Sequence, residues 1–113
     1  MIEKIILDYL SVRLPCPVCM EIPEGGATPP FVVIEKTGGG VIDNCVWTAT
    51  LALQSYGSTL YDAAQLNETV KGVMAAAVAL PEIARARLNS DYNYTDTTKR
   101  EYRYQAVFDI IHY

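Results

Sequence analysis

The chain has 113 residues, half of them hydrophobic, and a formal net charge of −4 at pH 7. A chain of this length supports one domain, residues 1–113, around a single modest core. Its acidic balance argues against a general nucleic-acid binder, because such domains usually carry a basic face. No apolar run approaches the roughly 20 residues of a membrane-spanning helix. Three cysteines with no signal-peptide pattern before them predict a reducing compartment.

The opening segment predicts one helix and one short strand. Apolar residues recur at helical spacing across residues 2–10, and this amphipathic helix should end by Leu14, because the next residue is a proline. Residues 18–22 are long enough for one strand. The proline- and glycine-rich residues 23–30 predict a loop.

A first hairpin follows in the sequence. Residues 31–37 are rich in strand-forming residues, and the glycine run 38–40 offers a place for the chain to reverse. Residues 41–54 then alternate between apolar and polar side chains, which predicts a strand with one buried face. Trp47 belongs to the apolar set, so we expect it to be buried.

A second helix is predicted directly after this hairpin. Thr59 and Asp62 fit a capping box, and apolar residues at spacings of three and four form one stripe along residues 63–80. Pro81 should end the helix.

The last third of the chain predicts a long antiparallel hairpin. Residues 84–94 and 102–110 alternate with period two and are separated by a short polar connection. Both apolar sets have even numbers, so opposed residues should keep the apolar sets on one face. Among such registers, the one that avoids like charges pairs Tyr92 with Tyr102, Leu88 with Ala106, Ala86 with Phe108, Asp91 with Arg103 and Arg85 with Asp109.

These elements predict an α+β domain in the order α-β-β-β-α-β-β. Strands joined by tight turns are antiparallel, and two helices can cover one face of the sheet that they form. We therefore expect an antiparallel sheet of two hairpins plus a short strand, covered by two helices.

The pair Cys16 and Cys19 raises the alternative of a thiol-redox or zinc domain. The pair follows a predicted helix instead of opening one, so no helix N-terminus lowers the pKa of a thiol. A zinc site would have to recruit Cys45 and His112, which lie far apart and singly in predicted strands. His112 has no nucleophile predicted near it, and the glycine run 38–40 opens no helix that would bind a phosphate. We predict no catalytic residue, no metal and no cofactor.

Eight tyrosines raise a second alternative, a small module that stacks nucleic-acid bases. In the predicted hairpin, the tyrosines of residues 92–104 share one parity and the arginines the other, so the positive groove of such a module is missing. Tyrosine is also common where a sheet meets another protein. We therefore expect an oligomer interface that includes Arg85, Arg87, Tyr92, Tyr94 and Arg103.

The sequence resembles the tail terminator, or tail completion, proteins of long-tailed phages and prophages. The similarity is carried by residues 88–96 and 102–109, with residues 33–38 and 54–56 and the Leu-Tyr-x-Ala-Ala pattern of residues 60–64 adding to it. It covers nearly the whole chain and includes no catalytic signature.

The resemblance implies a non-enzymatic structural protein of the virion, assembled in the host cytoplasm and located at the head-proximal end of the tail. Such proteins are α+β domains that form rings, typically hexameric. The implied partners are further copies of the chain, the tail tube protein and the head connector, with DNA passing through an acidic ring without specific binding. A head-completion or connector-adaptor protein is the alternative within the same virion.

Overall fold

The computed structural model describes all 113 residues. Its elements follow the predicted order α-β-β-β-α-β-β, so the α+β class is confirmed. The elements are α1 Ile2–Ser11, β1 Val18–Cys19, β2 Phe31–Asp43, β3 Val46–Gly57, α2 Leu60–Ala75, β4 Ile83–Asn93 and β5 Tyr102–His112. A short 3₁₀ segment, Ala76–Ala79, extends α2.

The five strands form one sheet in the order β1-β2-β3-β5-β4. The two hairpins, β2–β3 and β4–β5, are antiparallel, as predicted, and β3 also pairs antiparallel with β5. The two residues of β1 instead pair in parallel with Val32 and Val33. The expectation that every pair is antiparallel fails here because the long loop of residues 20–30 returns the chain to the starting end of the sheet before β2 begins.

Both helices lie on one face of the sheet, which we call the helix face. Thr59 caps α2 as predicted, its hydroxyl oxygen accepting a hydrogen bond from the Asp62 amide at 3.1 Å. The two helices and the sheet share one core of 19 buried residues, with Ile6, Leu10 and Phe108 among its largest side chains. Burying each such side chain contributes about 1.5–3 kcal/mol. The other face, which we call the open face, carries no helix; only its end beside the loop of residues 20–30 is buried, in a small cluster of Phe31, Val33 and Tyr56.

The β2–β3 hairpin is longer than predicted. The glycine run 38–40 lies inside β2, and the chain reverses between Asp43 and Val46, where Cys45 has a φ of 64°. Trp47 lies on the helix face, as its parity predicts, but 47% of its surface is exposed. The expectation that Trp47 is buried is wrong, because the hairpin extends beyond the part of the sheet that the helices cover.

The β4–β5 register differs from the predicted one because the connecting loop spans residues 97–100, closed by an Asp96–Glu101 bridge, and because β4 is bulged at Asn89. Arg85 pairs with Ile111 and Arg87 pairs with Asp109, up to a register shift at Asn89. Beyond this bulge Asp91 pairs with Ala106. The bulge turns Asp91 toward α2, where it accepts hydrogen bonds from Asn67 at 3.2 Å and Lys71 at 3.3 Å. None of the five predicted pairs forms: Asp91 and Arg85 pair as given above, Ala86 pairs with Ile110, Leu88 with Phe108 and Tyr92 with Gln105.

Candidate functional site

The bulge at Asn89 decides which side chains share the open face. Inserting one residue in a strand moves all later side chains to the opposite face of the sheet. Tyr92 therefore pairs with Gln105, and Tyr94 bonds through its backbone to Arg103, on the face away from the helices. All five residues predicted for the interface lie on the open face: Arg85, Arg87, Tyr92, Tyr94 and Arg103.

The predicted row of tyrosines is thereby split. Tyr102 and Tyr104 have the parity of Phe108 and lie on the helix face, half-buried. Tyr92 and Tyr94 are exposed on the open face, with ring centroids 6.0 Å apart in an edge-to-face arrangement. The prediction that tyrosines and arginines lie on opposite faces is wrong for these two, because a period-two pattern does not reveal a bulge.

Arg103 is the centre of a cation–aromatic cluster on this face. Its guanidinium carbon lies 4.6 Å from the centroid of the Tyr94 ring, and its Nη1 donates to the Tyr56 hydroxyl at 3.0 Å. Its Nε donates to the Tyr94 carbonyl at 2.7 Å. Tyr56 in turn stacks on Phe31, with centroids 4.4 Å apart. The cluster links β2, β3, β5 and the end of β4, so the exposed Tyr94 has a fixed position.

A chain of polar side chains crosses the sheet beside this cluster. Gln54 donates to Glu35 at 3.2 Å and to Gln105 at 2.9 Å, and Gln105 donates to the Tyr92 hydroxyl. Gln54 and Gln105 are each only 9% exposed. Buried amides require such partners, because an unpaired buried polar group costs about 1–3 kcal/mol. The chain of bonds therefore orients Tyr92 as the Arg103 cluster orients Tyr94.

The other half of the open face, toward the β2–β3 turn, is a shallow surface that carries two arginines. Small side chains on β3 leave a depression of about 380 Å³ whose lining includes Thr48, Thr50, Arg85, Arg87 and Asp109. Both arginines are exposed, and neither enters an ion pair within the chain. An exposed, unpaired guanidinium pair fits carboxylates or aromatic rings of a partner.

The three cysteines do not come together with other ligand types. Cys16 is buried, Cys19 is half-buried and Cys45 is exposed at the hairpin end. No group of three or more His, Cys, Asp and Glu side chains is close enough to hold a metal ion, so the four-ligand set considered from the sequence is not assembled. Burial raises the pKa of both the Cys16 and the Cys19 thiol. A redox-active cysteine needs the opposite shift, because the thiolate is the reactive form.

An exposed apolar end of the hairpin is the feature that sequence patterns missed. Val41, Ile42 and Trp47 are 63%, 56% and 47% exposed. A cleft of about 800 Å³ lies beside them, with Met1 and Tyr113 also in its lining. The length of the hairpin accounts for this exposure: its strands of 13 and 12 residues extend farther than the helices that cover the sheet.

The sequence matches no protein-family model and no curated protein. No helix has the length and apolar character needed to cross a membrane.

Proposed function

We propose that this chain is a phage structural protein that forms a ring at the head-proximal end of the tail. The ring caps the tail tube, ends its elongation and provides the joint to the head connector. The proposal draws on the resemblance of residues 88–96 and 102–109 to tail terminator proteins and on the fold order that those proteins share. The exposed tyrosines and unpaired arginines on the helix-free open face are the observation that carries it.

The open face has the properties of a protein–protein surface. It combines exposed tyrosines held in place by hydrogen bonds with arginines that have no partner inside the chain. Tyrosine and arginine are enriched at interfaces, where rigid aromatic side chains and planar guanidinium groups bind with little loss of entropy. A chain with a net charge of −4 repels DNA overall, as suits a ring through which DNA slides.

The test is assembly in a phage from which this gene has been deleted. Without the protein we expect tails longer than normal, or tails that do not join heads, when lysates are viewed by electron microscopy. Supplying the wild-type chain should restore infectious particles. Tails of normal length that fail only to join heads would favour the connector-adaptor alternative, and normal virions would refute both.

A matched pair of variants connects the phenotype to the open face. Arg85→Glu with Arg87→Glu reverses two charges on the open face, and we expect it to fold and to fail in complementation. Lys99→Glu with Arg100→Glu makes the same charge change in the exposed β4–β5 loop and should complement. Equal complementation by the two variants would contradict the role of the open face.

A further inference from the structure

The outer edge of β2 is open to another strand. β1 pairs only with Val32 and Val33, so β2 has no neighbour on that side from Ile34 to Asp43. Such an edge presents unpaired backbone N–H and C=O groups. Residues 34–43 of β2 include no proline, and the central residues 38–40 are glycines.

The fold of the isolated chain does not require a glycine at residue 38, and it constrains residue 40 only through one neighbouring side chain. Neither Gly38 nor Gly40 has a positive φ. A Cβ on Gly38 would meet only the Thr50 side chain at 3.8 Å, and a Cβ on Gly40 only the Thr48 hydroxyl at 3.3 Å. Glycine inside a strand costs about 0.5–1 kcal/mol and often marks close approach by another chain.

The outer edge of β4 is the complementary edge at the opposite side of the sheet. β4 pairs only with β5, and its 11 residues are about as long as the free part of β2. Strands β2, β3, β5 and β4 alternate in direction, so β2 and β4 run oppositely. Copies related by rotation about an axis along the strands would therefore place β4 of one antiparallel to β2 of the next.

Matching the two edges end to end gives one register. Ile34 then lies opposite Asn93, the last residue of β4, whose side chain accepts a hydrogen bond from the Thr95 amide at 3.0 Å. The irregularity at residue 37 of β2 falls beside the bulge at residue 89 of β4, so side chains keep matching faces along the whole length. Gly40 lies opposite Arg87, both on the open face.

The side chains opposed in this register fit one another. Leu88, exposed on the helix face, lies opposite Gly39, over which the end of the Lys36 side chain folds in the isolated chain. Lys36 lies opposite Asp91, and an opposite-charge pair across strands contributes about 0.2–1 kcal/mol. Glu35 lies opposite Tyr92 on the open face.

We propose that β4 of one copy adds to the free edge of β2 of the next copy, antiparallel and with Arg87 opposite Gly40. This inference rests on the ring proposed above and assigns its subunit contact. The contact joins two different edges of the molecule, so it repeats head to tail, as a closed ring requires. Gly40, without a side chain, leaves space on the open face for the neighbour's Arg87 side chain.

Cysteine cross-linking between differently labelled copies tests the contact. In a Cys45→Ser background, Gly40→Cys and Arg87→Cys are made separately, checked for folding by circular dichroism, mixed, assembled and oxidised. A disulfide forms only where Cα atoms lie within about 7 Å. We expect linked dimers in the mixture and none from either variant alone. Tyr61→Cys, exposed on α2, replaces Arg87→Cys as the control and should give no link to Gly40→Cys.

The outcomes separate this inference from the proposed function. Links formed by Gly40→Cys alone or by Arg87→Cys alone would show two-fold pairing and overturn the proposal, as would links only to a different virion protein. A ring detected by native mass spectrometry in which neither this mixture nor Val41→Cys with Ala86→Cys cross-links would overturn the contact and leave the ring function standing. If Gly40→Cys does not fold, the Val41 and Ala86 pair, opposed in the same register, decides the question.

Discussion

Arg103 shows how one side chain can fix an exposed surface. Its guanidinium group bonds Tyr56 and the Tyr94 backbone while lying over the Tyr94 ring. Lysine can supply the charge at this position but not the planar group that makes these contacts together. Arg85 and Arg87, in contrast, make no ion pair inside the chain, so their guanidinium groups are available to bind a partner.

Replacing Arg103 by lysine should lower the free energy of unfolding by about 1–2 kcal/mol, because two hydrogen bonds and a cation–aromatic contact are lost. Arg87→Lys is the matched control and should change stability by less than about 0.5 kcal/mol. Urea denaturation of both variants measures the difference. Equal stability of the two would show that the Arg103 cluster contributes nothing to the fold.

The cysteines should differ in reactivity according to their burial. Cys45 is exposed, whereas Cys16 is buried and burial raises the pKa of its thiol. With a disulfide-forming reagent at about pH 8, we expect Cys45 to react at least about tenfold faster than Cys16. Cys45→Ser should remove the fast phase. A fast phase that survives this substitution would indicate an activated thiol at Cys16 or Cys19.

At the scale of elements, the contact between β3 and α2 depends on one glycine. A Cβ at Gly57 would lie 2.9 Å from the Asp62 carbonyl carbon and would overlap the Ala63 backbone. The first turn of α2 can therefore follow β3 closely only because residue 57 has no side chain. Gly72 is different, since it lies within α2 and a Cβ there would have no neighbouring side chain or other element within 4 Å.

These two glycines give opposite predictions for substitution by alanine. Gly57→Ala should destabilise the domain by about 2–3 kcal/mol through overpacking. Gly72→Ala should stabilise it by about 0.5–1 kcal/mol, because alanine is the better helix former at an open position. Thermal denaturation of the two variants checks both signs. A Gly57→Ala variant as stable as the wild type would mean that α2 shifts freely on the sheet.

Sequence patterns predict these elements where the signal is local. The helical stripe over residues 63–80 and the alternation in residues 102–110 each arise from burial of one face, so they locate α2 and β5. The bulge at Asn89 has no such local signal. It is stabilised by Asp91 binding Asn67 and Lys71, which lie 24 and 20 residues away in the sequence. The sequence therefore lets us name the proposed interface residues one by one, but it does not show that they lie on the same face of the sheet.

The glycine run shows a second limit. The glycine run 38–40 is equally compatible with a turn and with a strand that lacks side chains. Only its pairing with residues 48–50 decides between the two. The parity of Trp47 predicts the correct face, but its exposure depends on where the helices end relative to the hairpin.

At the scale of the molecule, shape and charge set the expectations for partners. The domain measures 44 × 26 × 25 Å, elongated because β2 and β3 extend at about 3.3 Å per residue. Its net charge of −4 includes the exposed Arg85 and Arg87 on the open face. The molecule therefore has a local cationic surface within an acidic whole.

We expect no salt-dependent binding to duplex DNA, since phosphate affinity comes from several lysine and arginine contacts at once. Fluorescence anisotropy of a labelled duplex at low and moderate salt measures this. The Arg85→Glu, Arg87→Glu variant serves as the control for any residual signal. Micromolar binding that weakens steeply with salt and disappears in this variant would identify the open face as a DNA surface.

In the ring proposed above, the two-residue strand β1 would limit how far the docked strand β4 can slide along β2. A strand docked on an edge keeps its faces when it slides by two residues, about 6.6 Å. If every copy were shifted by that step, the head-to-tail contacts would build an open helical filament instead of a closed ring. β1 occupies one end of the β2 edge and the hairpin turn ends the other, so a strand as long as β4 has one position with a full ladder. In the proposed ring, a strand of two residues would thus hold all copies at the same height, so that the last copy meets the first.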